Sequence, residues 1–372
     1  MSRKRGNILK RGNSSWQLKF DVPSVEGKRQ QRYVTVRGTR QDAQKELTRL
    51  LAAADSGTLP DPSNATVGEY IEAWLASAHE QSPKTLERYG ELAKRQIIPH
   101  LGTHKLQKLK PEHVQQWHGT LIGLGLAPRT IGHAHRLLRL VLKCAVSNST
   151  LTRNVATVHR PPKVGDDEIE ILSPEQIADV LAKLEGHTLF PMVSVALATG
   201  LRRGEILGLQ WGDIDLDAGT LRVERSLEET NAGLRLKPPK TKSGRRNIAL
   251  PSETVTLLRA HKVQQMQIRL ALGMGKPDAD TLVFSDIEGR LLKPHTISRA
   301  WRRVVAAKKL PAVTFHALRH THASMLIKAG VDILTISRRL GHSKASVTLD
   351  VYGHLIGGAD AAAADAISEV LK

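Results

Sequence analysis

Apolar and polar residues alternate over residues 16–20 and again over 31–36, the period of a strand with one buried face. Glu26, Gly27 and Lys28 supply a turn between them. The period then changes to that of a helix over 39–54, with Ala43, Leu47, Leu50 and Leu51 on one face and Gly57 as the stop. A proline-rich stretch at 59–64 reads as a linker. Beyond it Thr66 and Glu69 form a capping-box pair that starts a helix running to about Ala78. Pro83, Pro111 and Pro128 each open a further helix from a first-turn position, where a missing N–H is not needed. The last of these runs to about Asn148. A second linker lies near 160–168, and Ser173 and Gln176 cap the next helix. From there the pattern is mainly helical, with short strands expected near 220–224, 234–237 and 246–250 and a helix at 361–371. The expectation is a multidomain, mainly α protein with small β-sheets. It comprises an α+β module at 1–58, an all-helical domain at 65–155 and a mixed α/β domain at 172–372.

Composition narrows the classes. The 372 residues exceed the usual size of one hydrophobic core, and an apolar fraction of 40% fits a folded chain. The longest apolar run, 189–201, is too short to span a bilayer and is interrupted by Pro191. No apolar signal core follows the basic start Met1-Ser-Arg-Lys-Arg5, so a cytoplasmic, nucleoid-associated protein of a bacterial cell is expected. The single cysteine, Cys144, excludes an intrachain disulfide and a thiolate zinc cluster. The net charge of +19, spread along the chain, implies a polyanionic partner, and double-stranded DNA suits it. Arg3, Lys4, Arg5, Lys10, Arg11, Lys28, Arg29 and Arg32 crowd the first module, whose strands either lie in a DNA groove or carry solvated charge.

The reactive side chains gather in the last half. Arg202 stands in Thr-Gly-Leu-Arg-Arg-Gly-Glu, and His316 and Arg319 stand in His-Ala-Leu-Arg-His. His342 follows in Leu-Gly-His-Ser, and Tyr352 in Asp-Val-Tyr-Gly-His. Forked guanidinium groups match phosphate oxygens and offset the charge that builds on them, which suits Arg202 and Arg319 to clamp a phosphodiester. The Tyr352 hydroxyl can attack that phosphodiester, helped by His316 and His342, which titrate near neutrality. The ten-residue spacing of His342 and Tyr352 reads as a short turn that returns the nucleophile to the same pocket. The departing sugar oxygen needs an acid, and Lys240, in a basic turn between two strands, is the candidate, with Lys242 as the alternative. His320 and His316 have metal-ligand spacing, but no His-Glu-x-x-His motif or third ligand accompanies them, so no metal site is expected. From these residues alone the linkage formed can be 3′ or 5′.

This ordered set resembles the tyrosine recombinases of the phage integrase family. The stretch from Thr199 to Glu205 resembles the first arginine box, with Glu205 as the supporting acid; His316 to Arg319 resembles the second box, and Leu340 to His342 the third. Tyr352 falls at the nucleophile position, and Lys240 aligns more loosely with the hairpin lysine. The likeness is specific over residues 172–356. More weakly, 65–155 resembles the helical core-binding domain and 1–58 the three-stranded arm-binding domain.

The resemblance implies a DNA integrase that cuts and rejoins strands through a 3′-phosphotyrosyl intermediate and a Holliday junction. Four protomers would act together, no cofactor would be needed, and an excisionase and a host DNA-bending protein would be possible partners. Two other readings stand beside it. One is a resolvase, invertase or nicking enzyme of the same chemistry, which the N-terminal module argues against. The other is a DNA-binding regulator without catalysis, which would have no use for His316 or Tyr352.

Overall fold

A computed structural model describes residues 6–22, 30–57, 59–165, 170–239 and 241–353, with 364, 367, 368 and 371 besides. The turn at 26–28, Lys240, most of the expected helix at 361–371 and the basic residues Arg3, Lys4, Arg5, Lys28 and Arg29 lie outside the described residues. The chain divides into two compact units, Met1–Gly165 and Asp166–Lys372.

The first unit begins with an antiparallel sheet of β1 (Gly6–Gly12), β2 (Ser15–Val22) and β3 (Gln30–Arg37) in that order. The alternation identified β2 and β3. It missed β1, whose only apolar residues, Ile8 and Leu9, are adjacent rather than alternating. Helix α1 (Arg40–Asp55) lays Ala43, Leu47 and Leu50 over Leu18 and Phe20 to close a small core. Full burial of side chains like Leu18 and Phe20 contributes about 1.5–3 kcal/mol each. Thr39 caps α1 and exchanges hydrogen bonds with Asp42, so the helix starts where the polar signal ends.

The proline-rich stretch that follows is pinned rather than free. Arg32 of β3 donates to the Pro60 carbonyl at 2.7 Å and pairs with Asp61, while Gln107 donates to the Asp61 carbonyl at 2.7 Å.

Helices α2 (Val67–Ser77), α3 (Pro83–Leu92), α4 (Ile98–Leu101), α5 (Pro111–Gly123) and α6 (Pro128–Ser147) enclose a second core around Ile71, Ile97, Trp117, Ile131 and Leu138. The Thr66–Glu69 capping box is present at α2. Between α3 and α4 the chain widens into a π-helical turn, Ala93–Ile97. Pro99 is the physical reason, since its ring and missing N–H cannot continue the regular ladder.

In the second unit α7 (Pro174–Leu184) precedes α8 (Phe190–Thr199), which is apolar nearly all round and becomes the central helix of the largest core. The run at 189–201 is thus a buried helix, and no helix among the described residues is long and apolar enough to cross a membrane. After the short α9 (Arg203–Leu207) come β4 (Ile214–Asp215), β5 (Thr220–Val223), β6 (Ser226–Thr230), β7 (Gly233–Lys237) and β8 (Arg246–Ala249). They form a sheet ordered β4-β5-β8 with a separate β6-β7 hairpin between its strands. β4 and β6 were not anticipated. β4 has two residues, and β6 holds two glutamates, one of which, Glu228, pairs with Arg235 and Lys237 across the hairpin.

Among the described residues five further helices follow: α10 (Ser252–Ala271), α11 (Pro294–Ala307), α12 (Ala317–Lys328), α13 (Ile333–Leu340) and α14 (Ala345–Tyr352). The expectation of a short turn between His342 and Tyr352 is corrected here, because most of the interval is α14. Thr348 and Tyr352, four apart, are both buried on one face of it, which a turn would not achieve.

Candidate active site

Two glycines set the site's frame. Gly200 ends α8 at φ +65°, and Gly341 ends α13 at φ +68°, both in the left-handed region that favours glycine. Neither position has room for a side chain. A Cβ on Gly200 would meet His322 at 2.6 Å, and one on Gly341 would meet Arg246 at 2.8 Å.

The carbonyls of these two residues receive the arginines. Arg202 donates from Nη2 to the Gly341 oxygen at 3.1 Å, and Arg319 donates from Nη1 to the Gly200 oxygen at 2.7 Å. Arg319 also donates from Nη2 to the Leu340 oxygen at 2.7 Å and to His342 Nε2 at 2.9 Å. Motifs more than a hundred residues apart in the chain are therefore cross-braced by their own side chains and backbone.

The two guanidinium groups differ in access. The Arg202 side chain keeps 40% of its surface open, whereas Arg319 is only 3% exposed. Burial, followed by the charge of Arg202, lowers the pKa of Arg319 to about 9, which leaves it charged at neutral pH. Glu205 anchors Arg202 through Nη1 at 2.7 Å and Arg246 through Nη2 at 2.9 Å. Burial opposes ionisation of Glu205, but Arg246, and then Arg202, outweigh it and hold the carboxyl below its ordinary value. Arg246, whose Nε also donates to the Arg339 carbonyl at 2.6 Å, was not singled out in the sequence. Only its place in a basic run pointed to it, and that run gives no hint of its buried partner.

The histidines divide their tasks differently from the expectation. His342 takes a hydrogen bond from Arg319 on Nε2, so its Nδ1 carries the hydrogen that reaches Thr348 Oγ1 at 2.8 Å. Burial first, then Arg319 and Arg202, push its pKa down to about 4, and it is neutral at pH 7. His316 sits at the start of α12 with its ring edge-on to His320, centroids 4.9 Å apart. Desolvation, then the charges of His320, Arg319 and Arg202, lowers its pKa, although the residue as a whole is among the more exposed of the site.

Tyr352 is 2% exposed, and its hydroxyl meets His320 Nδ1 at 2.7 Å, neither His316 nor His342. Desolvation pushes its pKa up to about 12, against a smaller opposing effect of Arg319. The one sequence signal for His320 was its helical spacing from His316, a metal-ligand spacing with no third ligand beside it. Among the described residues no group of three or more possible ligands is placed to hold a metal ion. Lys242 is exposed in a 3-10 turn, Lys242–Gly244, whose Ser243 carbonyl borders Gly341.

Residues 170–356, half of the chain, match the phage integrase family, and residues 66–122 match its N-terminal SAM-like domain. The chain belongs to the phage integrase family. An integrase of Streptomyces ambofaciens is 30% identical over 84% of this chain and 82% of its own length. A XerC-like tyrosine recombinase of Caldanaerobacter subterraneus subsp. tengcongensis is 28% identical over 95% of each chain. Among solved structures the Tn1549 transposon integrase, in complex with transposon right end DNA, superposes with a TM-score of 0.71. It shares 22% identity and covers 81% of this chain and 98% of that one. The fold is accordingly that of the tyrosine recombinases, and the chain is an integrase, an enzyme of site-specific DNA recombination.

Proposed function

We propose that this integrase cuts one strand at each core site with Tyr352, through a 3′-phosphotyrosyl intermediate, and rejoins it to the partner strand by way of a Holliday junction. Arg202 and Arg319 hold the scissile phosphate and His316 and His342 complete the pocket. Glu205 keeps the first arginine in place. Lys240, or Lys242 in its stead, protonates the departing sugar oxygen. The observation that carries this reading is the cross-bracing of the three motifs, Arg202 onto Gly341 and Arg319 onto Gly200, Leu340 and His342. It supports the reading because two cationic forks, of which Arg202 is open, are braced together, and the charge of Arg319 reaches the buried Tyr352.

The helices of residues 65–155 and the domain at 172–372 are assigned to the core site, and the module at 1–58 to separate arm sites. Supporting the last assignment, strand alternation turns Arg11, Lys19, Tyr33, Thr35 and Arg37 to the face of the sheet opposite Leu18 and Phe20. Lys19 lies 5.8 Å from the Tyr33 ring centre on that face. The working form is a homotetramer on DNA, in the cytoplasm of a bacterial host and associated with its nucleoid, with an excisionase and a DNA-bending protein as accessory partners.

The test uses a nicked duplex of the attachment core, read from the junctions of the DNA flanking the gene. Tyr352→Phe should bind this duplex as the wild type does and form no covalent adduct on a denaturing gel. An adduct in the Phe variant would move the nucleophile elsewhere. Removing residues 1–57 should leave that adduct intact and flatten the salt dependence of binding to a long attachment site, since each phosphate contact contributes about −0.9 to the slope. Equal slopes would deny the module an arm-site role.

A further inference from the structure

We infer that His320 takes the proton of Tyr352 as the tyrosine attacks, a role that rests on the reading of Tyr352 as the nucleophile. His320 lies one helical turn beyond His316, next in sequence to Arg319, so helix α12 brings it beside the phosphate-binding arginine. The contact between its Nδ1 and the Tyr352 hydroxyl, at 2.7 Å, is within the distance at which a proton passes between heavy atoms.

The direction of that hydrogen bond follows from what surrounds it. The hydroxyl is buried, and His320 Nδ1 is its hydrogen-bond partner among the described residues. Were Nδ1 to carry the hydrogen, the phenolic hydrogen would be left without an acceptor in a desolvated place. With Nδ1 as acceptor, the hydroxyl is satisfied, and the ring, which is only partly buried, carries its own hydrogen on Nε2.

The charged and titratable neighbours keep His320 an acceptor. From α12 it is faced by Arg319 and the edge-on His316 ring, from α14 by Tyr352, and from the third motif by His342, whose own titration feels it. Desolvation, then the Arg319 charge, lowers the His320 pKa below the usual histidine value, so the ring is neutral at pH 7. His316 and His342 are not placed for the task. The first turns its ring to His320, and the second accepts from Arg319 and donates to Thr348.

The tyrosine's high pKa forbids a free phenolate in advance, so transfer accompanies bond formation. As the Tyr352 oxygen bonds to phosphorus, its proton moves to His320 Nδ1. The bond from phosphorus to the sugar oxygen breaks, and that oxygen takes a proton from Lys240 or Lys242. His320 leaves the step as imidazolium. In rejoining, the attacking sugar hydroxyl gives its proton back to the lysine, and His320 returns its proton to the departing tyrosine. Every proton is thus restored at the end of a cycle.

The experiment compares adduct formation by wild type, His320→Ala and His320→Gln on the core duplex and on the same duplex with a 5′-bridging phosphorothiolate at the scissile position. A thiolate leaves without an acid, so only defects at the leaving group are relieved by sulfur. Both variants should be slower by a factor of about 100 to 10,000 on each substrate. Glutamine can still hydrogen-bond Tyr352, and its slowness, with wild-type melting and DNA binding, separates proton transfer from positioning. The wild-type rate should also fall as pH drops through the lowered histidine pKa, and that limb should vanish in His320→Gln. A glutamine variant with the wild-type rate and pH profile overturns the inference, as does a defect cured by the phosphorothiolate. Tyr352→Phe run alongside keeps the two readings apart: an adduct there defeats the nucleophile assignment itself, whatever the His320 variants do.

Discussion

His118 and His135 meet in the core of the first unit, Nε2 to Nδ1 at 3.1 Å, beside Trp117 and each only 6% exposed. In the second unit His320 and His342 are also packed against neighbours, and the pKa of each is lowered first by desolvation, as for the other pair. His135 is brought down to about 4, the same value as His342. What differs is the partner. The first pair serves packing, one neutral ring donating to the other and the Ala156 backbone taking a further hydrogen bond from His135, beside the Trp117 indole. The second group faces a guanidinium that accepts no proton and a hydroxyl that can give one up. A depressed histidine pKa therefore records burial, and the polar atom at the end of the hydrogen bond decides whether burial serves chemistry or packing.

The strongest challenge to that contrast is His342→Ala. Arg319 loses an acceptor on its buried Nη2, and the adduct-forming rate should fall about 100-fold or more, out of proportion to any change in the urea midpoint. A rate within threefold of wild type would put His342 in the same class as His135.

The complementary variant, His118→Leu with His135→Leu, should form adduct at the wild-type rate when folded. Its effect is on acid stability. The folded pKa of His135 lies below its unfolded value, so the contribution of the neutral ring is complete above about pH 6.5 and is lost as pH falls toward 4. By pH 5 the loss from His135 alone is of the order of 2 kcal/mol. Urea midpoints measured from pH 7.5 to 5 should fall less steeply in the double variant. An unchanged slope would show that the pair is not desolvated as described.

Thr348→Val gives the smallest expected effect and sharpens the boundary between the groups. It leaves the His342 Nδ1–H without its acceptor in a fully buried place, at about 1 kcal/mol of stability. If His342 is held for catalysis, adduct formation should also slow about fivefold. A stability loss with no change in rate would assign the Thr348 contact to packing alone.

Much of this was legible beforehand because it is local. Thr39, Thr66, Ser82 and Ser173 cap helices where polar residues precede apolar periodicity, and each accepts a backbone hydrogen bond from the first turn. The arginine, histidine and tyrosine motifs are equally local. β1 and β6 were not legible, since each depends on a strand it pairs with rather than on its own pattern. Nor was α14, whose eight residues carry one inward face that only a core containing Ala323, Ile336 and Leu340 makes meaningful.

By itself the sequence determined the class of chemistry, because guanidinium forks, a phenol and glycine-bounded motifs are properties of residues and their spacing. It also determined where most helices begin. Only the tertiary structure decided that Arg319 is buried while Arg202 stays open, that Arg246 shares Glu205, and that Tyr352 is partnered by His320. Those outcomes depend on which atoms desolvate one another across separations that run from 32 residues, for His320 and Tyr352, to 139, for Arg202 and Gly341. Hydrogen bonds and charges act over a few ångströms of space, a distance that sequence separation does not measure.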